Sequence, residues 1–162
     1  MDKIGKCANH LPEGDSETML ERLNPPTAPK PFSRYSQAVI APQDSQWLYI
    51  SGQVGCDRDR NIADGFEAQA ELAWGNLVTI LKSAGFGTED LVKVTILLTR
   101  PEDVPASRVA RDRILGGAEP ASTLMIVSGL ASPALLIEVE GVAARAPKSH
   151  GGSHGASQTG RA

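Results

Sequence analysis

Between Asp64 and Gly117 the apolar residues switch period twice, and this restricts the fold more than any other feature of the chain. Phe66, Ala70, Ala73, Leu77, Ile80, Leu81 and Ala84 recur at helical spacing, Asp64 and Glu67 stand at the spacing of a capping box, and Gly85 supplies a stop. The spacing predicts a helix over 65–84. In LVKVTILL, residues 91–98, Val92, Val94, Ile96 and Leu98 fall on one side of a strand. After Pro101, which suits a helix start, Val104 to Leu115 returns to helical spacing and ends at Gly116 and Gly117. Strand-type runs flank this block. Tyr35 to Ile40 and Trp47 to Ser51 precede it and are predicted to form an antiparallel pair, while Thr123 to Ser128 and Ala134 to Ala144 follow it. The order is ββαβαββ. Each helix has one apolar stripe to bury, so the expected class is α+β, a single mixed sheet with two helices on one face. The opposite face then needs cover that a chain without further helices cannot give, which predicts oligomerisation through it.

The 162 residues suffice for one domain. Ala146 to Ala162 is Gly/Ser-rich and lacks any large apolar residue, and the first twenty-odd residues are polar and aperiodic. The expected organisation is a flexible extension over 1–24, a domain over 25–146 that opens on the proline-stiffened lead-in, and a disordered tail over 147–162. This trimming removes His10, His150 and His154, so serine–histidine or cysteine–histidine nucleophiles and a histidine-ligated zinc are not expected. Cys7 and Cys56 cannot build a disulfide framework and have no metal spacing, and no signal-peptide pattern opens the chain, which together predict a cytoplasmic protein. The longest uncharged run, Thr123 to Ile137, is too short to span a bilayer, and a formal net charge of -3 gives no field for gathering nucleic acid.

No GxGxxG, GxxxxGK[ST] or GxSxG pattern occurs, so dinucleotide, P-loop and α/β-hydrolase chemistries lack support. What the domain offers is carboxylates, hydroxyls and arginines near glycine-bounded strand ends. Glu138 and Glu140 stand two apart and share a strand face, where desolvation and mutual repulsion raise a carboxyl pKa toward general acid-base use; a solvated strand face fits the same pattern. Ser51, followed by Gly52, marks a place where backbone N–H groups can approach a ligand, or an ordinary glycine turn. Tyr35 offers a phenol to a pocket or simply packs. Cys56 reads as an inert loop thiol, and Lys93 faces the wetter side of its strand.

YSQAV at 35–39, SGQVG at 51–55, AQAELAWGNLVTILKSAG at 68–85, DLVKVTILLT at 90–99, PAS at 120–122 and IEVEGVAA at 137–144 together resemble the RidA family, also called YjgF/YER057c/UK114. The resemblance implies a chorismate-mutase-like fold assembled as a homotrimer, with small-molecule sites at the subunit interfaces and no cofactor or metal. It implies hydrolytic deamination of reactive imines and enamines such as 2-iminopropanoate, with Glu138 as the catalytic carboxylate and Tyr35, Ser51, Gly52 and Ser122 lining the substrate site. Ser122 stands where deaminating relatives carry a carboxylate-gripping arginine, and Leu124 replaces their usual cysteine. The expected substrate is therefore not 2-iminopropanoate. Arg34, Arg108 and Arg111 are candidate replacements for the lost guanidinium, although solvated surface arginines are the favoured reading of all three. A non-catalytic small-molecule-binding trimer is the alternative function, and an endoribonuclease or translation inhibitor a lesser one; the 4% aromatic content and absence of a basic stripe give RNA binding no support.

Overall fold

The computed structural model describes residues 19–146; His10, His150, His154, Cys7 and the predicted tail lie outside the described residues. The elements run β1 (Glu21–Leu23), β2 (Ala38–Ile40), β3 (Gln46–Val54), α1 (Phe66–Ser83), β4 (Leu91–Leu98), α2 (Val104–Leu115), β5 (Ala121–Ile126) and β6 (Ile137–Arg145). Four strands form a mixed sheet in the order β3-β6-β4-β5, with β6 antiparallel to both neighbours and β4 parallel to β5. This is the expected α+β architecture.

Both helices bury their stripes against one sheet face. Trp74, Leu77 and Leu81 of α1 are fully buried, as are Val94 and Leu98 of β4 and Ile137 and Val139 of β6; Ala110 and Leu115 of α2 join the same cluster. Each such aliphatic side chain contributes roughly 1.5–3 kcal/mol relative to exposure. Close approach of α1 to β6 depends on Gly141, where an added Cβ would lie 3.2 Å from Leu77 Cδ1 and 3.3 Å from Leu91 Cδ2.

Four details depart from the sequence expectation. The capping box of Asp64 and Glu67 does not form, because α1 starts at Phe66 with Gly65 as its N-cap. Leu91, not Val92, enters the core, since the β4–β6 register shifts between Leu91 and Lys93. The predicted pair of β2 and β3 is absent: β2 pairs instead with β1 in a separate two-stranded sheet, with Leu23 opposite Ala38. The cause lies at Ser36, whose backbone N–H donates to Pro120 O at 3.2 Å and whose hydroxyl donates to Glu119 O at 2.7 Å, forming a parallel bridge to Ala121. The lead-in is thereby tied to β5, at the sheet edge opposite β3. Finally, residues 21–23, within the predicted extension, are themselves strand β1.

Candidate functional site

Strand alternation distributes the candidate residues over both sides of the sheet. Glu138 is paired with Val54 and Leu97, out of phase with the buried Ile137 and Val139, so it stands on the face away from the helices with Glu140. It is half-buried, whereas Glu140 is exposed. Ser51 and Gly52 lie inside β3, not at its end, where the register to β6 slips between Ile50 and Gln53. Such bulges re-aim side chains and open the ladder. Gln53 Nε2 donates to Ser51 O at 3.0 Å and Gly52 O at 3.3 Å, satisfying the carbonyls that the bulge releases. The Glu138 carboxylate sits directly over Gly52; a Cβ there would overlap its Oε1. Ser51, Gly52 and Glu138 thus form one group.

Tyr35 and Ser122 form another. Ser122 is paired with Val94, so it points to the helix side of the sheet, and the Ser36 bridge places Tyr35 beside it. They line a cavity of about 210 Å³ together with Phe32, Ser33, Arg108, Arg111 and Leu124. The Phe32 backbone N–H donates to the Tyr35 hydroxyl at 3.4 Å, leaving the phenolic O–H free to donate. Within one chain, Glu138 is on the far side of the sheet from this cavity.

The structure corrects the solvated-surface reading favoured for Arg111. It is 4% exposed, and its Nε and Nη2 donate to Asp112 Oδ1 at 2.9 and 2.7 Å. The signal was present, because Arg111 follows Ser107 and precedes Leu115 by four residues each, in phase with the buried stripe of α2. Arg34 is used elsewhere: it donates to Gly116 O at 2.9 Å and pairs with Glu119 at 3.6 Å. Cys56 is half-buried and free, its carbonyl accepting from Asn76 Nδ2 at 3.0 Å. On the outer face Lys93 donates to Thr123 Oγ1, and burial lowers its pKa while Glu140 acts in the opposite direction.

The residue that ties α1 to the start of β6 is Gln69, which is 2% exposed. Its Nε2 donates to Ala63 O and Ala134 O at 3.0 and 2.9 Å, and its Oε1 accepts from Leu136 N–H at 2.8 Å, fixing the approach to β6 two residues before Glu138. No group of three potential metal-ligating side chains occurs among the described residues. Nor, among them, is any helix long and apolar enough to cross a membrane.

The chain is 34% identical over 122 residues to the 2-iminobutanoate/2-iminopropanoate deaminase of Mus musculus, which covers 74% of this chain and 87% of the relative. It is 32% identical over 127 residues to a RutC family protein of Pyrococcus horikoshii, covering 77% and 98%. Among solved structures, a Rid family protein of unknown function from Yersinia pestis superposes with a TM-score of 0.69 at 28% identity, covering 76% of this chain and 97% of that one. RidA from an Antarctic Psychrobacter gives 0.58 at 30% identity over 76% and 98%. With its α+β fold and a match over residues 25–145 to the family model described as Endoribonuclease L-PSP, the chain belongs to the RidA (YjgF/YER057c/UK114) family.

Proposed function

We propose that the protein is a hydrolytic deaminase that converts a reactive imine or enamine, other than 2-iminopropanoate, to a carbonyl compound and ammonia. The observation that carries this reading is the half-buried Glu138 carboxylate held over Gly52 in the β3 bulge. The deaminase name borne by the mouse relative supports it. Glu138 accepts a proton from water as the oxygen bonds to the imine carbon. That proton passes to nitrogen to give the carbinolamine; Glu138 then moves the carbinolamine hydroxyl proton to nitrogen as well, and the C–N bond breaks as the C=O forms, so ammonia leaves and no oxidant or reductant enters. A positioned acid-base group of this kind supplies about 10²–10⁴-fold.

The site is completed between protomers of a homotrimer. Trp47, Tyr49 and Met125 of the outer face are 47%, 76% and 45% exposed, an apolar surface suited to a second copy. A head-to-tail interface that closes on itself would bring the Glu138 group of one protomer against the Tyr35 and Ser122 group of the next.

The test generates imines in situ from a panel of amino acids with an oxidase and traps what survives. Wild type is expected to shorten imine lifetime and Glu138→Gln to lose at least about a hundredfold. Ser122→Arg is expected to gain activity on 2-iminopropanoate. Binding of small acids without turnover of any imine would replace this reading with a non-catalytic binding trimer, and release of RNA fragments by purified protein would replace it with a nuclease.

A further inference from the structure

The cavity beside Ser122 is lined by two arginines, Arg108 and Arg111, and by no acidic residue. Arg111 is neutralised by Asp112 from outside that lining, but Arg108, one turn earlier on α2, has no ion-pair partner among the described residues. Like charges at this helical spacing repel. The arrangement therefore retains about one uncompensated positive charge at the edge of a small open cavity that Tyr35 and Ser122 also line. Phe32, 87% exposed, and Leu124 give the same space apolar walls.

We propose that Arg108 and Arg111 grip the carboxylate of an organic acid from the helix, doing from α2 what Ser122 cannot do from β5, while Phe32 and Leu124 receive an apolar body. Arg111 is suited to this because its stem is buried and its fork is already oriented by Asp112, so little rotamer freedom is lost when an anion arrives. Arg108 supplies the unmatched charge. Joined to the deaminase reading, on which this step rests, the substrate becomes an imine bearing one carboxylate and an apolar or aromatic substituent; the grip itself depends only on the cavity.

Benzoate and its neutral counterpart benzamide serve as unreactive probes in titration calorimetry. Benzoate is expected to bind at least about tenfold more tightly than benzamide, and Arg108→Ser and Arg111→Lys each to weaken benzoate by roughly tenfold to a hundredfold. Arg113→Ser, which removes an exposed arginine paired with Glu71, is expected to leave benzoate binding unchanged. Because Arg111 is buried, thermal melting accompanies its variant, and Arg108, being exposed, provides the substitution that does not threaten the fold. Equal binding of the two probes, or wild-type binding by folded Arg108→Ser, overturns the assignment. Benzoate binding through α2 without imine turnover leaves the grip standing and removes the deaminase; imine turnover indifferent to both arginine variants does the reverse.

Discussion

On the helix side of the four-stranded sheet, Val94, Ile96, Leu98, Ile137 and Val139 are sealed under α1 and α2. The outer side of the same sheet shows a half-buried Glu138 and an exposed Glu140 on β6 and, on β3, a Tyr49 at 76% exposure. The first face is finished within the chain; the second is not. The contrast shows that alternation specifies only that two faces differ, whereas what lies above each face decides whether it serves stability or chemistry.

The largest effect separating the two is expected from Leu77→Ala on the sealed side, a loss of about 2–5 kcal/mol in urea unfolding, because a fully buried side chain leaves a cavity. Tyr49→Ala on the open side should leave protomer stability within about 0.5 kcal/mol and instead reduce the sedimentation coefficient. Equal stability losses at both positions would erase the distinction.

Next in size is Gln69→Leu. It leaves the Ala63 and Ala134 carbonyls and the Leu136 N–H without their partner; Ala134 is exposed and Ala63 and Leu136 are half-buried, so water replaces part of the lost bonding and the expected loss is about 1–3 kcal/mol in all. Its effect should reach across the sheet: hydrogen exchange at the start of β6 is expected to accelerate, and imine turnover to fall with Glu138 chemically intact. A variant that destabilises without altering exchange there would confine Gln69 to the helix side.

How far each face was legible in the sequence follows from the same physics. The stripe of α1 was legible because helical spacing and burial coincide at Trp74, Leu77 and Leu81, and Glu138 and Glu140 were placed on one face because strand parity is local. What parity does not carry is the offset between strands. Hence the sequence did not reveal that Ser122 and Glu138 project to opposite sides, since that depends on the pairings of Val94 with Ser122 and of Leu97 with Glu138. The bulge at Ser51 and Gly52 and the tie of Ser36 to Pro120 are likewise products of long-range pairing. Gln69 and Arg111 were legible but unread, as polar residues in phase with buried stripes, a pattern that marks a side chain with a task.

The smallest effect concerns Lys93, on the outer face. Burial lowers its pKa from the ordinary 10.5, so the folded state disfavours the charged form. That penalty is present while both states are protonated and disappears as pH rises from the folded value toward the ordinary one; stability is therefore expected to increase with pH in that window. Chemical denaturation of Lys93→Met across the same range should show a flatter profile. A downward slope in wild type would mean that attraction to Glu140 outweighs desolvation.

Under the proposed trimer, Glu138 and Ser122 on opposite sides of one sheet would divide the labour between chains. In such a closed ring each subunit would lend its acid to one crevice and its arginine-lined hollow to another. Two differently crippled chains, mixed, would then rebuild some sound crevices that neither forms alone, while dilution into single chains would leave every crevice open on one side.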